Sequence, residues 1–494
     1  MKTMHTHNPF SIAILILSLL LSGCSHFLDE YSQDERKPST TGDYSEILFG
    51  EGYFKNTSLP YRYLALLSDD VTAASNLRNR SGEDTRQVAY GYYTWQANPE
   101  VSPRGTLNAD MTWEQFYHQI LTANVVLAQL KSMVGTDAEK AQLEGEAYAI
   151  KLNAYFMLTN IYGQPYTPAT AGNVLGVPIN NHSYSEDTNF PRATVKENYQ
   201  EMIHCLESAL KAFERSENKL NTFRWNAPAV CILGSRLYLY MQDWDNAIKY
   251  ADLAIRQNPN LYDLNSKAPL GDDDKNAFIS KNNKEICFQQ GFYQSEFLSI
   301  ENLYYFTASQ DLLDTYQEGD LRYYNNKGEY LRTKKVRVGG GWFAPPTYKY
   351  FTQAKKNGID TDTHTYGYTI RTSEAYLNRA EAYAQKGETQ KAMQDLNHLR
   401  AARIRPDHAQ LQAPSDQAGL IQLVRDERRR ELCFEFHRWF DLRRWDQPSI
   451  THSYITSSGK EEVREDFTLN ANDPRYTLPI PRMVLNSDKA LTTK

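Results

Sequence analysis

Apolar positions recur with helical spacing along most of this chain, most clearly over residues 139–162. There Leu143, Ala147, Ile150, Ala154, Leu158 and Ile161 fall on one helix face, and Tyr148, Leu152, Tyr155 and Tyr162 on a second. A helix that is apolar on two faces has to be packed between neighbours. Thr136 and Glu139 have capping-box spacing at its start, and Gly163 and Pro165 stop it. Two later segments share another pattern. Ser235, Tyr238, Ala247, Ala251 and Ala254 in one, and Ala380, Tyr383, Ala392, Leu396 and Leu399 in the other, each predict two helices. Short polar breaks separate them, at Gln242-Asp243 and at Lys386-Gly387-Glu388. This spacing is tetratricopeptide-like, since small residues let antiparallel helices approach closely. The copies are far apart and not strictly periodic. The expected fold is therefore mainly α: tetratricopeptide-like hairpins forming a right-handed scaffold, with long irregular aromatic-rich loops between them.

Three stretches lack a helical stripe and are rich in aromatics, amides, Gly and Pro: residues 87–98, 288–306 and 339–350. Loops this long on a rigid scaffold usually carry function. A pyranose ring has apolar C–H faces and a hydroxyl rim, so it is held by aromatic stacking plus amides, carboxylates and Arg. The three loops supply these groups. The candidate glycan-binding residues are Tyr92, Tyr93, Trp95, Gln96, Asn98, Tyr293, Trp342 and Phe343. Trp95 and Trp342 lead, because an indole beside Tyr or Phe in a Gly-bearing loop is awkward to bury. The competing role for each ring is folding onto the core.

Residues 10–21 are almost wholly apolar, too short to span a bilayer, and follow a weakly basic start. They end in Leu21-Ser22-Gly23-Cys24, which resembles a bacterial lipobox. The expected organisation is a signal peptide over 1–23, a lipid-anchored polar tether over 24–45 and one domain over 46–494. That domain has an N-terminal part of about 46–270 and a C-terminal part of about 280–494. Lipidation falls on Cys24. Cys205, Cys231, Cys287 and Cys433 sit in apolar or helical contexts without a CxxC pair and read as buried small hydrophobes.

The net charge of −6 argues against a nucleic-acid partner. The 34 tyrosines suit either helix packing or wet recognition surfaces. No HExxH, GxSxG, P-loop or GxGxxG pattern occurs. Asp69-Asp70 reads as a turn or cap, since adjacent acids lack the opposed partner that glycoside hydrolysis needs. Residues 271–276 are a poor calcium loop, with Ala277 and Asn283 at positions that need other residues. No catalytic residue, metal or cofactor is expected.

Residues 425–445 read RDERRRELCFEFHRWFDLRRW. As one helix they would carry an apolar stripe of Leu432, Phe436, Trp439 and Phe440, beside a line of Glu431, Glu435 and Arg438. Alternating signs predict an ion-pair network clamping the helix to its neighbours. The stretch closely resembles the signature of the SusD/RagB lipoproteins of Bacteroidetes. The matching residues are Glu427, Arg428, Arg429, Glu431, Leu432, Phe434, Glu435, Arg438, Asp441, Leu442, Arg443, Arg444 and Trp445. Segments 371–403, 113–127 and 476–481 resemble other motifs of that family. Phe436 departs from it, standing where the family usually has Gly. The acidic export signal after the lipidated Cys is reduced to Asp29 and Glu30. The resemblance implies a SusD-like helical core that holds an oligosaccharide over a partner SusC-like TonB-dependent transporter, anchored to the outer membrane and facing the cell exterior. A protein- or peptide-binding scaffold, or an uptake lid for a non-carbohydrate nutrient, is the alternative. A glycosidase is a third reading, which predicts opposed acids across a cleft and turnover of oligosaccharide.

Overall fold

Thr136 and Glu139 close the capping box that starts the longest helix: the Glu139 N–H donates to Thr136 Oγ1 (3.2 Å), and the Thr136 N–H to Glu139 Oε2 (2.8 Å). In the computed structural model that helix runs Asp137–Tyr162, and every residue from Ala149 to Tyr162 is buried. It is packed on all sides, as two apolar faces require. The structure describes residues 37–54, 59–74, 80–184, 190–217, 220–266, 278–279, 283–292, 306–324, 328–338, 347–354, 366–458, 461–488 and 491.

The described chain is mainly helical, with 13 helices and short strands. In order the helices are α1 (Thr41–Glu51), α2 (Arg80–Tyr93), α3 (Thr112–Gln129), α4 (Asp137–Tyr162), α5 (Val195–Phe213), α6 (Ala227–Tyr240), α7 (Trp244–Gln257), α8 (Gln310–Leu313), α9 (Thr372–Gln385), α10 (Thr389–Ala401), α11 (Gln417–Leu432), α12 (Arg438–Arg444) and α13 (Arg482–Ser487). The strands are β1 (Val71–Ala73), β2 (Ile286–Phe292), β3 (Phe306–Ala308), β4 (Leu331–Val338), β5 (Thr347–Ala354), β6 (Tyr366–Arg371), β7 (Ile450–Ser458) and β8 (Glu461–Leu469). They form two-stranded antiparallel pairs: β1–β3, β2–β6, β4–β5 and β7–β8. Neighbouring helices α3–α4, α4–α5, α6–α7 and α9–α10 pack together, and α7 packs on α9. The small residues mark the close approaches: Asn378 Nδ2 of α9 donates to Ser235 Oγ of α6 (2.7 Å). A second, smaller apolar cluster, including Leu377, Leu396, Leu420 and Val424, ties α9, α10 and α11.

The loop expectations need correction in part. Residues 87–93 are the last turns of α2, 288–292 belong to β2, and 347–350 begin β5. Gly91 hides the helix in the sequence, yet it is required there. A Cβ at this position would lie 2.2 Å from the Pro99 carbonyl oxygen, where the chain returns across α2. Residues 425–445 are likewise not one helix. The chain breaks between α11 and α12, where Phe434 (φ 59°) and Phe436 (φ 65°) are left-handed. That region favours glycine, which explains why Phe436 is an unusual residue for this position. Its ring compensates by meeting Tyr61 edge-on at 5.3 Å.

The predicted ion-pair network is present and buried. Glu431 meets Arg322 (3.0 Å), Arg403 (2.9 Å) and Arg371, and accepts from the Tyr330 hydroxyl (2.9 Å). Glu285 and Glu435 complete the shell of Arg371 at 2.8 and 2.9 Å. Burial alone would raise the Glu431 carboxyl, but Arg403, Arg371 and Arg322 outweigh it and hold it well below the usual carboxylate range. It stays ionised as the hub that joins α9, α10 and α11.

Candidate functional site

The 94–98 turn is built by the end of α2. The Gln96 N–H donates to Gly91 O (2.8 Å) and the Trp95 N–H to Tyr92 O (3.2 Å), the paired bonds of a Schellman motif. Trp95 occupies its left-handed position at φ 50°. This reversal turns the indole inward. Trp95 is 2% exposed, stacks on His452 at 4.3 Å, and donates from Nε1 to Leu67 O (3.1 Å). Tyr93 stacks on the same imidazole, also at 4.3 Å, so His452 is held between the two rings. Tyr92 stacks on Tyr63 at 4.2 Å.

Burial pushes the His452 imidazole down to about 4, against the pull of the Tyr93 and Ser68 carbonyl oxygens 2.8 and 3.2 Å from its two ring nitrogens, only one of which a neutral ring can serve as donor. It is therefore neutral at pH 7, an aromatic spacer inside the core. The strand β7 that carries it gave no signal of this role, because a lone His in an alternating strand has no local partner in the sequence.

The expectation that Tyr92, Tyr93 and Trp95 form a solvent-facing shelf is thus corrected: all three rings are core. The reason is the indole's place at the reversal itself, with its N–H satisfied by a backbone carbonyl. Gln96 and Asn98 do reach the surface. Gln96 is half-buried, with its amide donating to Thr94, and Asn98 is exposed. Tyr293, Trp342 and Phe343 lie outside the described residues, as do Cys24 and residues 271–276. What the structure does bring together is loop stems. Phe306, which follows the 293–305 segment, meets the Tyr93 ring at 4.8 Å, and β3 pairs with β1 and packs against β5.

The acids are engaged by arginines. Asp69 takes both oxygens to Arg438 (2.7 and 2.7 Å), and Asp70 takes Arg429 (2.7 Å). Burial would raise Asp69, but Arg438 and Arg429 lower it below its ordinary value. The pair lies in the turn before β1, as expected of it, and from there also clamps that turn to α11 and α12. A cavity of about 580 Å³ opens beside α1 and the start of α4. Its polar walls are mutually satisfied: Glu146 accepts from Arg224 (2.9 Å), Gln142 (2.8 Å) and Tyr53 (2.8 Å). Among the described residues, no three His, Cys, Asp or Glu side chains are grouped to hold a metal ion. No described helix is long and apolar enough to cross a membrane. The thiols of Cys231 and Cys287 are buried and pushed up by burial, to about 12 and about 11.

Family models match both halves of the chain. One described as the SusD family covers residues 269–493, and one described as "starch-binding associating with outer membrane" covers 26–239. SusD-like protein P38 of Formosa agariphila is 21% identical over 419 residues, 71% of this chain and 76% of that protein. A SusD-like carbohydrate binding protein of Bacteroides vulgatus superposes with a TM-score of 0.69 at 19% identity, over 92% of this chain and 97% of that one. A SusD superfamily protein of Bacteroides thetaiotaomicron gives 0.66 at 20% identity, over 92% and 99%. At these identities the solved structures speak for the fold alone. With both halves matched by family models and the helical fold shared across its length, this chain belongs to the SusD/RagB family.

Proposed function

We propose that this protein captures an oligosaccharide at the cell surface and delivers it to a SusC-like TonB-dependent transporter without hydrolysing it. The observation that carries the reading is the family match over residues 26–239, whose description joins starch binding to the outer membrane. In this reading Cys24 carries the lipid, residues 24–45 are the tether, and the protein faces the exterior. Gln96 and Asn98 bond sugar hydroxyls, and Tyr293, Trp342 and Phe343 supply the stacking faces that Tyr92, Tyr93 and Trp95 do not. The convergence of the loop stems at Tyr93 and Phe306 supports one shared surface. Binding without chemistry is supported by the engagement of Asp69 and Asp70 with arginines, which leaves that pair unsuited to proton transfer.

Calorimetric titration with a panel of starch and other plant or algal oligosaccharides tests the reading. Binding without turnover is expected, and Trp342→Ala should weaken it. Release of shorter products, or no binding across the panel while the transporter alone co-purifies, would favour an enzyme or a protein scaffold instead. Cys24→Ser should move the protein from the membrane to the soluble fraction; its retention in membranes would refute the anchor.

A further inference from the structure

A crevice of about 220 Å³ lies where four chain segments meet: the α6–α7 turn, the C-terminal end of α9, Arg425 of α11, and the end of α12 with the residues just after it. Trp244 lines it and is only half-buried. Trp342 aside, every other tryptophan has a ring or cation partner. Trp95 has His452, Trp113 has Tyr117, Trp225 has Phe288, Trp439 has Tyr476, and Trp445 has Arg425 and Arg444. Trp244 has none among the described residues.

The indole packs partly against the core, and polar groups line the crevice beside it. The side-chain amides of Gln242, which is exposed, and Gln385, which is half-buried, make no hydrogen bond among the described residues and are open to solvent or a ligand. Arg425 Nη1 donates to Asp446 (2.9 Å), while Arg425 Nε has no partner. Tyr240 also lines the crevice, is 3% exposed, and its hydroxyl is unpartnered. Buried polar groups in folded proteins are normally bonded, so the Tyr240 hydroxyl and Arg425 Nε, buried and unpartnered at this cavity wall, mark a place for a polar ligand. The 580 Å³ cavity, with its carboxylate, amide and guanidinium groups paired to one another, carries no such mark.

The crevice wall is held rigidly. Glu381 accepts from Arg444 at 2.6 and 2.7 Å and from Trp445 Nε1 at 3.1 Å. Lys386 pairs with Asp245 across its edge, joining the turns of the two helical hairpins. A half-exposed indole, two amides, a carboxylate and a guanidinium N–H are the recognition groups of a sugar ring, and 220 Å³ falls short of the ~300–1,000 Å³ that hold larger ligands.

We propose that this crevice binds a single pyranose ring, stacked on Trp244, with its hydroxyls bonded by Gln242, Gln385, Asp446 and Arg425. The site is built from residues of the helices and their ends, none of them among the proposed capture residues, and rests on that reading only for its class of ligand.

Saturation-transfer NMR on the full mature chain, with methyl glycosides of glucose, galactose, mannose and xylose and with oligosaccharides of each sugar, tests it. At least one methyl glycoside should bind at millimolar concentration. Trp244→Ala should weaken that binding about tenfold or more, Trp244→Phe should retain most of it, and Gln385→Ala should weaken it severalfold with an unchanged thermal transition. The Gln385 variant keeps the test decisive should Trp244→Ala misfold. Oligosaccharide binding with no methyl glycoside signal, or single-ring binding indifferent to Trp244 and Gln385, overturns the crevice and leaves the capture reading standing. Silence with every sugar overturns both.

Discussion

Two turns in this protein share one backbone plan and bury their tryptophans oppositely. After α2, Gln96 N–H bonds Gly91 O and Trp95 N–H bonds Tyr92 O; after α6, Asp243 N–H bonds Tyr238 O and Gln242 N–H bonds Leu239 O. Both are Schellman ends, and in both a residue other than glycine takes the left-handed position, Trp95 at φ 50° and Gln242 at φ 62°. At the first turn the tryptophan is the reversing residue, and its ring is driven into the core. At the second the tryptophan comes two residues later, as the first residue of α7, and its ring stays half-exposed. The place of an aromatic relative to the reversal, more than the glycine and polar content of the loop around it, decides whether it is core or surface.

The largest test of this contrast is Trp95→Ala. A core indole should cost about 3–5 kcal/mol on truncation, read by urea denaturation, whereas a surface ring would cost under about 0.5 kcal/mol. A loss near the lower figure would return Trp95 to the surface and undo the comparison.

Next in size is the pH response of the imidazole beneath it. His452 titrates at about 4 when folded, against its ordinary 6.5, because burial disfavours the charged form. Between those values the unfolded chain binds the extra proton, so this contribution to stability is complete above pH 6.5 and is lost as pH falls towards 4. The full loss is about 3 kcal/mol. In His452→Gln that part of the pH slope should flatten. A wild-type protein that gains stability from pH 6.5 down to 4 would mean that the two carbonyls hold an imidazolium between the rings.

What was legible in the sequence follows how local the determinants are. Helix α4 could be read with its caps, because the two apolar faces and the Thr136–Glu139 box lie within one element. The break at residues 433–437 could not. Helical periodicity runs through it, and the left-handed Phe436 is supported by Tyr61, far away in the chain. The ionic hub was legible only as alternating charge: Glu431 shows in the sequence, but Glu285, Arg322 and Arg371 reach it from three distant segments. For the loops, composition marked the right neighbourhood and mistook the role of three rings, since it carries no record of which residue sits at the reversal. The crevice at Trp244 was missed for the same reason as the hub: its groups come from residues 242–244, 385 and 425–446.

The smallest effect is the most discriminating, because it gives the two turns opposite signs. The second hairpin ends α9 with the same pair of bonds, Glu388 N–H to Tyr383 O and Gly387 N–H to Ala384 O, and uses glycine at φ 74°. Gln242→Gly copies that solution into the first hairpin. Left-handed strain of roughly 1–2 kcal/mol is relieved, against about 0.5–1 kcal/mol of added backbone freedom in the unfolded chain. Gln242 is exposed, so no packing is lost, and a net gain of about 0.5–1 kcal/mol is expected in urea denaturation. Trp95→Gly removes the same strain but also a ring wedged between His452 and Leu67, so it should destabilise by several times that gain. Equal signs at the two positions would mean that the turns differ in something other than where the ring stands.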